Sequence, residues 1–120
     1  MDTIDTLRGE QGCPWDRKQT CDSLKKYLQS ECEELLAAIN NKDHVNICEE
    51  LGDILYLLIM ITQINKELGL FEFSNVLESI NAKLIRRHPH VFAGQAYEND
   101  EQLAAQWLAI KAKEKKQNSV

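Results

Sequence analysis

The sequence predicts an all-α fold: a helical-hairpin-based bundle of four to five helices, completed by oligomerisation. Three observations carry this. Leu, Ile, Ala, Glu, Lys and Gln dominate the composition, and most of these residues favour helices. Two prolines and five glycines are too few for a sandwich or barrel built on tight turns. Apolar residues recur at three- and four-residue spacing along most of the chain. At 120 residues, the span 1–120 reads as a single domain.

The elements follow in order. A short amphipathic helix is expected over about 2–10, broken by Gly12-Cys13-Pro14-Trp15-Asp16. Leu24, Leu28, Leu35 and Ile39 set a second helix over about 20–39. Asn40-Asn41-Lys42-Asp43 is a turn with capping residues. A third helix over about 43–68 ends at Gly69, a C-cap residue. Its middle, 54–61, is apolar all round, and a helix with no polar face must be covered on every side. One chain of this size has few helices to do that, hence the expected oligomer. Phe73, Val76, Leu77, Ile80 and Leu84 line one face of a fourth helix over about 74–87, which His88-Pro89-His90-Val91-Phe92 ends as a structural turn. A fifth helix covers about 100–116, and the polar tail, about 117–120, is expected to fray.

The charge and the cysteines exclude some classes. A formal net charge of −5 argues against a nucleic-acid binder that relies on overall positive charge. The apolar run 54–61 is too short to cross a bilayer. Met1 leads straight into a polar stretch, which predicts a cytoplasmic chain. Cys13, Cys21, Cys32 and Cys48 form no C-x-x-C pair and are expected to be free, buried thiols rather than zinc ligands or disulfides.

Four carboxylates hold the chemistry. Glu31 and Glu34 on the second helix, and Glu50 and Asp53 on the third, are each spaced i, i+3, so each pair projects from one helix face. Glu34 and Glu50 are centred on residue 42, in the turn, and so are Glu31 and Asp53. An antiparallel hairpin sets Glu34 level with Glu50 and Glu31 level with Asp53, roughly 12 to 17 Å from the turn. Four converging carboxylates need a counter-charge. Oxygen-only ligands suit Mg²⁺, or Mn²⁺, rather than zinc. The bland alternative is a pair of solvated helix faces. Against it stand Leu35, Leu36, Leu51 and Ile54, which set the acids at the edge of the apolar face. Gly52, inside the second pair, is expected to permit close approach of the other helix or of a ligand.

At these residues the sequence resembles the MazG family of all-α nucleoside triphosphate pyrophosphatases, whose motif is E-E-x-x-E followed by E-x-x-D. The first part reads Ser30-Glu31-Cys32-Glu33-Glu34 and the second Glu50-Leu51-Gly52-Asp53. Gly12-Cys13-Pro14-Trp15-Asp16 and Arg86-Arg87-His88-Pro89-His90-Val91-Phe92 match stretches more specific to MazG. Ser30 stands where the family has its first Glu, while all four acids of E-x-x-E and E-x-x-D are present. The resemblance implies Mg²⁺-dependent cleavage of a ribo- or deoxyribonucleoside triphosphate between the α- and β-phosphates, giving the monophosphate and pyrophosphate. It also implies a homodimer or a dimer of dimers.

The resemblance carries over further residues. The family's K-x-x-x-R falls on Lys83 and Arg87, with Arg86 beside them, and implies contact with the triphosphate. Its W-x-x-x-K falls on Trp107 and Lys111, at the nucleotide. Arginine offers forked donors to phosphate, lysine a point charge, and tryptophan a flat face for a base. Each has a plainer alternative: a solvated basic face for Lys83, Arg86 and Arg87, and a core position for Trp107. Trp15 divides the same way, between stacking on a base and pinning its loop. His88 and His90 are read as turn residues, and Lys113, Lys115 and Lys116 as tail solvation.

The expected function is therefore metal-assisted hydrolysis by a water that the metal activates, with Glu31, Glu34, Glu50 and Asp53 as ligands. Glu33 or Glu49 are spare acids for orienting that water. Two alternatives stand beside it: a non-catalytic helical dimer that binds nucleotides or a protein, and a house-cleaning enzyme for a modified nucleotide. An oxidative di-metal bundle would carry Glu-x-x-His. None of the three histidines has a Glu three residues before it.

Overall fold

The structure, a computed structural model, describes residues 2–118. Among them are seven helices and no strand: α1 (Asp2–Arg8), α2 (Pro14–Lys18), α3 (Cys21–Asn40), α4 (His44–Glu67), α5 (Phe73–Arg87), α6 (Pro89–Phe92) and α7 (Asp100–Asn118). The all-α class is as expected, but the count exceeds four to five. The two additions are the single-turn pieces α2 and α6, each with proline in its first turn, where the missing N–H costs nothing. Both had read as breaks because proline marks a helix start as readily as a stop. α7 includes Gln117 and Asn118, where fraying was expected; 119–120 lie outside the described residues. None of these helices is long and apolar enough to cross a membrane.

Packing divides the chain into one unit through Phe73 and a second from Ser74 onward. The first unit is dominated by the α3–α4 hairpin. Thr20 and Ser23 form a reciprocal capping box at the start of α3 (Ser23 N–H to Thr20 Oγ1, 3.1 Å; Thr20 N–H to Ser23 Oγ, 2.8 Å). α3 stops in a Schellman turn: Asp43 N–H bonds Ala38 O and Lys42 N–H bonds Ile39 O, each at 3.0 Å. Lys42 takes the left-handed position (φ 53°). Asp43 then caps α4 by accepting from Asn46 N–H at 3.2 Å. α4 ends in the same motif, with Gly69 at φ 74°.

The hairpin seam has a register that the turn dictates. Leu24, Tyr27, Glu31, Glu34 and Ala38 follow one another at three- and four-residue steps on α3, as do Glu50, Asp53, Leu57, Met60 and Ile64 on α4. Leu24 and Met60, both fully buried, are centred on residue 42, as are Glu31 and Asp53. The acids thus continue the register of the apolar seam toward the turn, with Glu31 and Glu50 half-buried and Glu34 and Asp53 exposed. Ile4, Leu24, Leu57, Ile59, Met60 and Ile64 form the core, with Trp15, Tyr27, Leu28 and Tyr56 packed against it.

The loop before α2 lies on α1. Cys13 N–H bonds Leu7 O at 2.9 Å, and a Cβ on Gly12 would stand 2.1 Å from Leu7 O, so only glycine fits. Arg8 fixes the loop, donating to the backbone oxygens of Asp16 and Gln19 while its Nε and Nη2 grip Glu67 at 2.7 and 2.8 Å.

α5, in the second unit from Ser74 onward, carries the amphipathic stripe foreseen, but none of its residues is buried, and Phe73, Val76, Leu77, Ile80 and Leu84 are all exposed. The cysteines also differ from expectation: Cys32 and Cys48 are exposed, and Cys13 and Cys21 half-buried. Cys32 and Cys48 sit next to Glu31 and Glu49 on faces turned away from the hairpin seam, which spacing alone did not reveal.

Candidate functional site

On the first unit, one oxygen from each of Glu31, Glu50 and Asp53 lies within 4.8 Å of the other two. Glu34 is exposed, and it too bears on Glu50 by charge and hydrogen bonding. Oε2 of Glu31 and Oε2 of Glu50 are buried and have no hydrogen-bond donor. The consequence falls on Glu50, whose carboxyl is pushed up to about 7. The largest cause is the hydrogen bond shared with Glu31, followed by burial and the Glu34 charge. Carboxylate oxygens gathered without donors need a proton or a cation, and an all-oxygen set of this kind fits a hard divalent ion. A Cβ on Gly52 would meet nothing within 4 Å, so no approach of α3 requires that glycine.

A cavity of about 280 Å³ adjoins the acids, lined by Trp15, Tyr27, Glu31, Asp53, Tyr56 and Leu57. Trp15 packs on the core, in keeping with a residue that pins its loop, and it also lines this cavity. Its ring meets Tyr27 edge-to-face at 5.5 Å and 75°. Tyr56 donates to Asp16 Oδ1, and Asp16 is buried. Burial, then that bond, push the Tyr56 hydroxyl well above the ordinary phenol range. Sequence reading missed Tyr27 and Tyr56. The signal was there: Tyr27 precedes Glu31 by four residues and Tyr56 follows Asp53 by three, so each shares a helix face with an acid.

The second unit gathers the cations. Lys83, Arg86, Arg87, Lys111 and Lys115 line a cavity of about 460 Å³ together with Glu114. Lys115, expected as a solvated tail residue, is exposed and also lines this cavity. Its position four residues after Lys111 puts both on one face of α7. Glu114 receives Arg86 Nε at 2.6 Å and Arg87 Nη2 at 2.8 Å. Those two bonds, Arg87 first, hold its carboxyl down at about 2. Trp107 is half-buried, with the Arg87 guanidinium 5.2 Å from its ring centre and His88 edge-to-face at 5.2 Å. His90 meets Gln106 at 3.3 Å and packs edge-to-face on Tyr97, in keeping with a turn held by side chains.

An all-α chain with a helical hairpin that gathers unpartnered carboxylates, and with a basic cavity on its second unit, has the equipment of a protein that handles cations and phosphates. The family to which this chain belongs is that of the MazG nucleotide pyrophosphohydrolase domain, whose model matches residues 19–92. The chain is 47% identical over 115 residues to the nucleoside triphosphate pyrophosphohydrolase/pyrophosphatase MazG of Thermotoga maritima, covering 93% of this chain and 42% of that protein. It is 40% identical over 110 residues to the nucleoside triphosphate pyrophosphohydrolase of Escherichia coli (strain K12), covering 92% and 42%. The chain thus spans less than half the length of each of these two curated relatives. The crystal structure of a mazG-related protein from Thermotoga maritima superposes with a TM-score of 0.75 at 26% identity, covering 92% of this chain and 95% of that one.

Proposed function

We propose that the chain hydrolyses nucleoside triphosphates between the α- and β-phosphates, releasing a nucleoside monophosphate and pyrophosphate, with Mg²⁺ or Mn²⁺ as cofactor. The observation that carries the reading is that Glu31 and Glu50 each hold a buried oxygen without a donor, on residues that with Asp53 bring one carboxylate oxygen each within 4.8 Å of one another. Glu31, Glu34, Glu50 and Asp53 would hold the cation. When bound, it supplies Lewis-acid polarisation of a phosphate and a lowered pKa for a coordinated water. The rest falls to the chain itself. Glu33 and Glu49, both exposed, are the spare acids for orienting water. Trp15 offers an aromatic wall for a base. Lys83, Arg86, Arg87 and Lys111 offset negative charge on phosphates. Trp107, in contact with Arg87 and His88, would take the place at the nucleotide that the family resemblance implies.

The same reading includes a homodimer or dimer of dimers. Leu51, Leu55 and Leu58 recur along one side of α4 and are 53%, 49% and 46% exposed. They point away from Leu57, Met60 and Ile64, which face the core. Apolar side chains exposed in a row of this kind favour association.

The test is pyrophosphate release from a panel of ribo- and deoxyribonucleoside triphosphates, with Mg²⁺ and with EDTA. Release of pyrophosphate and monophosphate that EDTA abolishes is the expected result. A folded, Mg²⁺-binding protein that releases nothing from any of them would leave a binding module or an enzyme for a modified nucleotide.

A further inference from the structure

The cavity on the second unit holds five basic side chains and one carboxylate, and the carboxylate is the unexpected member. Glu114 is engaged by both arginines at once: Arg86 Nε to Oε1 at 2.6 Å, Arg87 Nε to both oxygens at 3.3 and 3.2 Å, and Arg87 Nη2 to Oε2 at 2.8 Å. The side chains of Glu114 and Arg87 are only 12% and 14% exposed, whereas that of Arg86 is 49% exposed. Arg87 is held from a second direction by the ring of Trp107. A guanidinium is a rigid planar fork, so fixing its Nε edge fixes where its other donors point.

We propose that Glu114 is a positioning residue for anion recognition: by binding the Nε edges of Arg86 and Arg87 it aims their remaining N–H donors into the cavity shared with Lys83, Lys111 and Lys115, making a preformed seat for a polyphosphate. The proposal rests on reading this cavity as the place where the substrate's phosphates bind. Five cations against one carboxylate leave the seat strongly positive, and about 460 Å³ exceeds what a lone phosphate needs. Two effects of Glu114 oppose each other. Its charge weakens an anion's attraction to the seat, and its bonds remove the ordering cost of two long, flexible side chains. The charge is already offset by the two guanidinium groups it binds, so little of it reaches an anion in the seat, while each ordered arginine counts for more. Preorganisation therefore wins, and removing the negative charge weakens anion binding rather than strengthening it.

The experiment compares the wild-type chain with Glu114→Gln and Glu114→Asp by two readouts. One is the steady-state kinetics of pyrophosphate release, and the other is calorimetric titration with inorganic triphosphate in EDTA. For Glu114→Gln we expect KM to rise about tenfold with kcat within about twofold, and triphosphate to bind about tenfold more weakly. For Glu114→Asp, which keeps the charge but shortens the reach, we expect about a threefold rise in both KM and the triphosphate Kd. Unchanged KM and unchanged triphosphate affinity in Glu114→Gln would overturn the proposal. So would tighter binding, the signature of a carboxylate that merely competes with phosphate, or a fall in kcat alone. Should Glu114→Gln fail to fold, Glu114→Asp decides, and wild-type affinity there overturns the idea. Should the wild-type chain release no pyrophosphate, the enzymatic reading fails separately, and the triphosphate titrations still decide the role of Glu114.

Discussion

Tyr56 donates its hydroxyl hydrogen to the buried carboxylate of Asp16, tying α4, one turn beyond Asp53, to the short helix that carries Trp15. The Trp15 wall of the cavity beside the acids is therefore tied to α4 by this bond, and to α3 through Gln19, which donates to Trp15 O and accepts from Ser23 Oγ. Replacing Tyr56 by Phe keeps the ring and strands the Asp16 oxygen without that donor. We expect a loss of about 1–3 kcal/mol in urea unfolding. We also expect KM for nucleotide to rise more than kcat falls, because the variant loosens a wall and leaves the carboxylates untouched. A KM equal to wild type would separate Trp15 from nucleotide binding.

The acids make the metal-free protein sensitive to pH in two windows, with opposite signs. The Glu50 carboxyl is raised from 4.5 to about 7 in the fold, so the folded state binds a proton that the unfolded state has released. That contribution is complete below about 4.5 and is lost as pH rises through about 7. The Glu114 carboxyl is lowered from 4.5 to about 2, so its contribution is present above 4.5 and is lost as pH falls toward 2. In EDTA, thermal melts should show Tm falling from pH 5 to 8, with Mg²⁺ restoring it most at the alkaline end, where no proton competes for the site. A Tm that is flat over that range without metal would remove the shared proton from the account.

Glu50→Gln separates chemistry from folding. The variant keeps the shape, ends the mutual repulsion with Glu31 and Glu34, and deletes one ligand oxygen's charge. We expect pyrophosphate release to fall by at least about 100-fold, from the weakened hold on the cation. The metal-free protein should melt no lower than wild type at pH 8, and its Tm should lose the slope between pH 5 and 8. Full activity in this variant would sink the proposed mechanism.

The hairpin was legible because its seam is periodic. Steps of three and four from Leu24 through Glu31 and Glu34, and from Glu50 and Asp53 through Met60, share one centre at Lys42, so the spacing alone pairs the acids across the hairpin. The residues that missed notice act through long-range or reversed contacts. Asp16 and Tyr56 meet across 40 positions, and Glu114 reaches back 28 to Arg86. Lys115 was lost to a different cause, since a run of lysines near a terminus looks solvated until its helix brings one face into a cavity. Prolines 14 and 89 open short helices where a reader of breaks stops counting.

The stripe of Leu51, Leu55 and Leu58 carries the last prediction. These side chains lie about half in water, on the side of α4 opposite the core, one position or so from the acids Glu50 and Asp53. Burying a leucine side chain contributes about 1.5–3 kcal/mol. A symmetric interface would bury each leucine twice, so the stripe would contribute several times that figure. Introducing a charge at its centre, as in Leu55→Glu, leaves the isolated fold little changed, because the position is already solvated in one chain. In an oligomer it forces two carboxylates into an apolar seam. We expect sedimentation equilibrium to show the wild-type chain as a dimer or tetramer, and Leu55→Glu as a folded monomer with unchanged helical content. Because α4 also carries Glu50 and Asp53, its loss of packing should lower turnover as well. A wild-type chain that sediments as a monomer would instead leave the stripe as surface, and the hairpin as a site that one chain completes alone.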